Sequence, residues 1–475
     1  MTTLNRAHYG RTVAPIRILH LGLGNFTRAH QAWYTEKAPD NSQWGIAAFT
    51  GRSPKMADLL NPQQGLYSLV TKGADGDSVE VISSISRVHA ASDLSALAEY
   101  FSSPDLAIVT TTVTEAGYYR RADGSLDVTH PLVAADLDAL RGLAAGDGTL
   151  GVDTAAAGTN VADLSGLELN TAPCRVLLGL LVRKAAEDFP LTILPCDNLS
   201  ENGAAFRQVV MDAAQAVAPD AIQWIENAVS WATCMVDRIT PATTQADIDA
   251  VAALGYDDAS PVPTEPFSEW VISGNFPAGR PDWEAAGVTF VEDVAPYEER
   301  KLRMLNGSHS LMAYAGSICG AETVADAFAN PLVREWVNEW WADAGATLSV
   351  EWADYTQALS QRYSNPNIRH LLAQIAADGS LKLGVRAIPL LRIYRTKGEI
   401  PRGVVRLMGA WIAHLRGHGA PVSDANAETI LALVGGNLDS DTRAILAYFD
   451  EELAADSDLV EAVTAAAQEM CRYAK

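Results

Sequence analysis
Cysteine is scarce in this chain: Cys174, Cys196, Cys234, Cys319 and Cys471 are the five among 475 residues. They are odd in number, scattered, and never spaced as Cys-x2-Cys. Neither a disulfide framework nor a thiolate zinc site is expected. No cluster of His, Cys and carboxylate residues has ligand spacing, so no metal is expected. Long apolar runs are missing too. None reaches the ~18 residues that a membrane helix requires, and Met1 to Pro15 lacks the apolar stretch of a secretory signal. Positive charge is in deficit, with 35 Lys and Arg against 58 Asp and Glu and a net charge of -23. That balance argues against nucleic acid or an anionic membrane as a partner. An acidic small molecule would need a local basic pocket. The expected compartment is the cytoplasm. No oligomeric state follows from the sequence, and a monomer is compatible with it.

What is present describes a globular protein, with 48% apolar and 20% charged residues. The length is too great for one core, so more than one domain is expected. After a loose arm over residues 1–14, Ile16-Arg-Ile-Leu-His-Leu21 reads as a buried strand. It runs into Gly22-Leu23-Gly24-Asn25-Phe26-Thr27, then a helix over about 28–37, then the apolar strand Trp44 to Phe49. Strand, glycine turn, helix, strand is the opening of a dinucleotide-binding fold. Residues 65–83 read as a β-hairpin and 106–113 as a strand ending at Thr114-Glu115. Residues 142–170, rich in Gly, Ala, Asp and Thr, read as a mobile loop. An amphipathic helix over 175–188 and a strand over 191–194 lead to Cys196-Asp-Asn198; residues 231–239 read as one strand-like run. Beyond about 296 the pattern is helical nearly to the end. The expected architecture is α/β: a Rossmann-type domain with insertions over 1–290, then a mainly α-helical domain over 291–475.

In the glycine turn, Gly22 permits the bend and Gly24 lets the backbone approach a pyrophosphate. Thr27 stands where a third glycine is usual. The end of the second strand reads Thr50-Gly-Arg52-Ser53, with no acid to hold a ribose 2′-hydroxyl. Arg52 either packs on an adenine or meets a 2′-phosphate, or is a solvated residue of a capping loop. Thr114 and Glu115 end a strand where a nicotinamide would lie, or are structural.

The stretch Tyr297-Glu298-Glu-Arg-Lys301-Leu-Arg-Met-Leu-Asn306-Gly-Ser-His309 carries groups suited to chemistry. On a regular α-helix His309 would lie ~80° and Asn306 ~140° from Lys301, all on one side. A lysine of tuned pKa can exchange a proton, an asparagine amide can donate to an oxygen gaining charge, and a histidine can hold a hydroxyl. The bland reading is a charged, solvated helix face.

Lys-x4-Asn-Gly-x-His after Tyr-Glu-Glu, in a chain that also carries Gly-x-Gly-x-Phe-x-Arg-Ala-His, resembles the polyol-specific long-chain dehydrogenases, the mannitol dehydrogenase family. The resemblance runs over roughly residues 15–460. Phe26, Arg28, Ala29 and His30 match its N-terminal signature. It implies NAD as coenzyme, with NADP left open, and Lys301 as the general acid/base without zinc. It implies Asn198 and Asn306 as the oxyanion pocket and His309 as the residue that orients substrate. Asn198 ends a strand of the α/β domain and Asn306 belongs to the helical one, so the expected site draws on both. Asp237 and Glu298 match positions used near the base. Asp237 could equally pair with Arg238, and Glu298 could be one more exposed carboxylate.

The segment Gln374-Ile-Ala-Ala-Asp378-Gly-Ser-Leu-Lys382-Leu-Gly-Val-Arg386 has Gln374 where the mannitol enzymes carry arginine. It looks closer to fructuronate reductase, the D-mannonate oxidoreductases. A sugar acid needs cations for its carboxylate, and Lys382, Arg386, Arg369 and Arg362 are candidates; Lys382 and Arg386 could instead merely flank a helix end. The first expectation is therefore oxidoreduction of a hexuronate. The second is an uncharged polyol such as D-mannitol or D-arabinitol. A non-catalytic nucleotide-binding sensor is the third.

Overall fold
Short apolar runs bounded by Gly, Pro and Ser become strands. They are β1 (Ile16–Leu21), β2 (Gly45–Phe49), β3 (Tyr67–Gly73), β4 (Gly76–Ile82), β5 (Ile85–His89), β6 (Ile108–Thr111), β7 (Leu191–Pro195), β8 (Val229–Trp231), β9 (Thr233–Asp237), β10 (Val262–Thr264), β11 (Glu269–Ser273) and β12 (Thr289–Phe290). The computed structural model describes residues 3–145, 164, 166–186 and 189–474. It divides into two units, Met1–Lys72 with Gly76–Ala295, and Gly73–Asp75 with Pro296–Lys475.

The first unit is built on a six-stranded sheet in the order β5-β2-β1-β6-β7-β8. Its pairings are all parallel. Parallel strands are covered on both faces, which is why they read as nearly continuous apolar runs. Alternation along them still sorts two cores. Leu19, Leu21, Val109 and Ile193 enter one; Ile18, Ile46, Ala48, Ile108 and Leu194 enter the other. Strand order reverses between β1 and β6, paired through His20 with Thr110 and Leu21 with Thr111. The glycine turn leaves β1 at that switch point, where ligands of such sheets bind. The second unit is mainly helical, with Trp336, Trp340 and Trp411 fully buried. This is the Rossmann-type and helical architecture expected from the sequence. Among the described residues no helix is long and apolar enough to cross a membrane.

Several local expectations need correction. Over residues 3–14 the arm is tied down. Buried Arg6 donates from Nε to Gln64 O, from Nη1 to Thr12 O and from Nη2 to the carbonyls of Ser83 and Ile85. One guanidinium thereby replaces the missing regular structure. The helix expected over 28–37 is two pieces, α1 (Asn25–Ala29) and α2 (Gln31–Lys37), broken at His30 with φ -122° and ψ -89°. The run 231–239 is split, because β8 ends the main sheet while β9 pairs with β11 in another. The Ala172–Ala186 helix is buried almost all round, which hides any amphipathic signal. The loop expected over 142–170 falls largely outside the described residues.

Candidate active site
Gly22 has φ +105°, and a Cβ there would sit 2.3 Å from Thr112 O. Only glycine fits that position. Gly24 is different: its φ of -143° suits any residue, and an added Cβ would meet only Gly22 O at 3.8 Å. Among the described residues nothing demands a glycine there, so its open face suits the close approach of a ligand. Thr27 replaces the third glycine for a visible reason. Its hydroxyl meets His20 Nε2 at 2.7 Å and Thr112 Oγ1 at 2.8 Å, and Thr112 Oγ1 in turn donates to Gly22 O. Burial pushes His20 down to about 3, so this cluster beneath the turn is neutral.

The signature residues mostly hold the turn rather than project from it. Arg28 is fully buried. It donates to Gly24 O, to Ser260 O and Oγ, and to Asn25 Oδ1. Asn25 Nδ2 donates to Pro241 O and Thr243 Oγ1. Phe26 stacks on His30 with centroids 4.9 Å apart, and Leu23 is buried. Of the other residues expected near a coenzyme, Arg52 follows β2 and is exposed, and Thr114 and Glu115 are exposed beyond β6. Ser53 Oγ accepts from Lys55 N at the start of the next helix, Lys55–Leu60, whose N-cap Pro54 makes no side-chain cap.

Asn198 is exposed in the turn after β7. That turn is fastened by residues the sequence did not single out. Asn202 brackets Cys234, donating to its carbonyl at 2.9 Å and accepting from its N–H at 3.1 Å. Tyr118 donates to Asp197, which also accepts from Leu199 N. Asp237 is buried at the end of β9. Arg238 directs its guanidinium to the carbonyls of Ala29 and Glu265 and over the Trp33 ring.

In the second unit, Lys301 and Asn306 are half-buried and His309 is buried. The regular α-helix assumed from Lys301 to His309 is not what forms. Leu302–Asn306 and Met312–Gly316 are π-helical, separated by one α-helical stretch, Gly307–Leu311. Gly307 N donates to Leu302 O, one residue further back than an α-helix allows. In π geometry residue i+5 stands roughly one turn above residue i. The backbone of Asn306 therefore lies above Lys301 rather than ~140° round the axis.

The packing explains the departure. Trp340 Nε1 donates to Arg303 O at 2.7 Å, the carbonyl that Gly307 N would otherwise have used. Trp341 Nε1 donates to Met304 O at 3.1 Å, and Ser308 Oγ donates to it at 2.6 Å. Tyr363 hydroxyl reaches Leu305 O at 3.3 Å, and Arg386 Nη1 reaches Asn306 O at 3.1 Å. Four successive carbonyls thus have side-chain donors. Gly307 is glycine because the Trp340 indole lies on it; a Cβ would be 2.1 Å from that ring. The His309 ring lies 5.0 Å from Tyr363 and 5.1 Å from His370 between centroids.

The candidate cations separate. Arg386 also donates to Ser310 Oγ at 2.8 Å, so it stands beside the Asn306 segment. Burial lowers its guanidinium to about 10, which leaves it cationic at neutral pH. Lys382 donates to the carbonyls of Ile375 and Ala377, and burial followed by Arg386 lowers its pKa. Both lie on one helix, Gly379–Arg386. Arg369 is exposed, Arg362 is buried and Glu298 is half-buried.

The mannitol dehydrogenase Rossmann-domain model matches residues 16–285, and the mannitol dehydrogenase C-terminal-domain model matches 293–471. The chain belongs to the mannitol dehydrogenase family. As a member it is an oxidoreductase acting on a CH–OH group. It is 35% identical over 495 residues to D-mannonate oxidoreductase of Escherichia coli (strain K12), covering 96% of this chain and 93% of that one. Among solved structures, D-sorbitol dehydrogenase in substrate-free form matches with TM-score 0.85 and 28% identity, covering 97% of this chain and 93% of that one. Mannitol 2-dehydrogenase of Pseudomonas fluorescens, in ternary complex with NAD and D-mannitol, matches with TM-score 0.76 and 29% identity, covering 99% and 97%.

Proposed function
We propose that this family member is an NAD-dependent reductase of a sugar acid, interconverting D-fructuronate and D-mannonate, with Lys301 as the general acid/base. The observation that carries the substrate class is Arg386, a half-buried cation fastened to Asn306 O and Ser310 Oγ. A carboxylate is the partner such a group favours. The 35% identity to a D-mannonate oxidoreductase supports the same choice.

The Gly22-Leu23-Gly24-Asn25 turn would hold the pyrophosphate, and Arg52, Thr114 and Glu115 would lie nearer the coenzyme's two ends. When bound, NAD supplies the acceptor, or in reduced form the donor, of the hydride. Lys301 gives its proton to the new alkoxide in reduction and takes it back in oxidation. The Asn306 amide donates to that oxygen as it gains charge, and Asn198 is proposed as a second donor of this kind. His309 orients a substrate hydroxyl. Lys382, through the carbonyls of Ile375 and Ala377, shapes the segment before Arg386. Asp237 and Glu298 are proposed to tune the lysine.

The test is turnover with NADH against a panel of hexuronates and ketoses, followed at the nicotinamide absorbance. Reduction of D-fructuronate in preference to D-fructose supports the reading, and turnover confined to D-fructose and D-mannitol sinks it. The latter outcome is the second reading, favoured by the likeness to a mannitol 2-dehydrogenase bound to D-mannitol. A paired glycine test concerns the coenzyme. Gly24→Ala should leave the melting temperature unchanged and weaken NADH binding about tenfold or more, whereas Gly22→Ala should cost about 2–4 kcal/mol of stability. Equal effects of the two substitutions on stability would remove the argument that Gly24 serves a ligand.

A further inference from the structure
The helix that carries Lys301 departs from α geometry between that lysine and Asn306, and the departure has a built support. In a continuous α-helix Gly307 N would bond Arg303 O; here it bonds Leu302 O instead. Arg303 O is taken by Trp340 Nε1 and Met304 O by Trp341 Nε1, both from the Pro331–Gly345 helix. Gly307 leaves the space that the Trp340 ring fills. We infer that Trp340 and Trp341 are positioning residues, whose indole N–H groups hold the 302–306 segment in π geometry and so stack Asn306 over Lys301. This rests on the reading that Lys301 and Asn306 act on the substrate oxygen.

The competing account is that both indoles merely fill the core, as buried tryptophans commonly do, and find the nearest acceptor. The two accounts part on phenylalanine. Trp340→Phe keeps most of the apolar ring and deletes the N–H. A filler would lose a little stability and no rate. A positioning group would release Arg303 O, which can then recapture Gly307 N and turn Asn306 away from Lys301. Misplacement of a reacting group by about 1 Å costs on the order of 10²-fold.

The expected result for Trp340→Phe is therefore a kcat for ketone reduction lower by about 10²-fold, with substrate KM and NADH affinity within about threefold of the parent. The solvent isotope effect on kcat should rise as proton transfer becomes limiting. Trp341→Phe should lose less, about tenfold, because Met304 O keeps the Ser308 hydroxyl at 2.6 Å. Lys301→Ala is measured alongside. If it stays within about tenfold of the parent, the reading of the lysine fails and this inference goes with it. If Lys301→Ala is nearly inactive while both phenylalanine variants keep kcat within about threefold, the positioning role alone is overturned. It is also overturned if rate, KM and coenzyme affinity all deteriorate together. Should Trp340→Phe fail to melt cooperatively, Trp341→Phe decides by the same readouts.

Discussion
Lys301→Ala should lower kcat by about 10³–10⁴-fold in both directions while NADH affinity, read by fluorescence quenching, stays within about twofold. The size follows from what the amine is asked to do. A secondary alkoxide left without a proton donor is a poor product, and water at neutral pH is a poor substitute for a fixed acid. The selectivity follows from placement. Lys301 ends the helix Ala295–Lys301, while the glycine turn that would hold the coenzyme follows β1 in the other unit. Alanine has the highest helix propensity of any residue, so the substitution should leave the segment folded. Circular dichroism and a cooperative melt check that. Added primary amine should restore part of the rate if the missing group is a proton carrier. A loss of less than tenfold with the protein folded would mean that another group is the base.

Much of this was legible in the residues, and what was not has physical causes. The sheet announced itself because parallel strands are buried on both faces and read as unbroken apolar runs. The glycine turn was legible because the position at Gly22 excludes every side chain. Arg28 and Asn25, beside the glycine turn, commit polar groups to Ser260, Pro241 and Thr243, more than 200 residues away in sequence. No local pattern shows such long-range partners. The π-segments were invisible for a related reason. Hydrophobic periodicity assumes a fixed turn, and the widening at Leu302–Asn306 is supported by Trp340 and Trp341, whose spacing looks like ordinary core. The one local clue was Gly307 inside a helix, a costly residue that needs a reason. The start of the helix carrying Lys382 and Arg386 is hard to place from sequence, because Asp378 enters it at φ +55° and a glycine follows, both features of a turn.

Arg386→Gln should remove the preference for a sugar acid without emptying the site. Glutamine keeps N–H groups that can serve Asn306 O and Ser310 Oγ, the two acceptors of the arginine. It loses the charge. Breaking a desolvated charge pair costs about 2–5 kcal/mol. Each 1.4 kcal/mol is about tenfold, so kcat/KM for D-fructuronate should fall on the order of 10²-fold or more. An uncharged ketose offers no carboxylate to lose, so its kcat/KM should hold within about threefold. The ratio of the two substrates is therefore the measurement, and it is insensitive to how much active enzyme each preparation contains. Burial lowers the guanidinium's pKa but leaves it far above neutral, so the parent should keep its preference through neutral pH. Arg386→Gln should lack the preference throughout that range. A parallel fall for both substrates would assign Arg386 to the support of Asn306 alone, and the carboxylate would then have to be sought at Arg362 or Arg369.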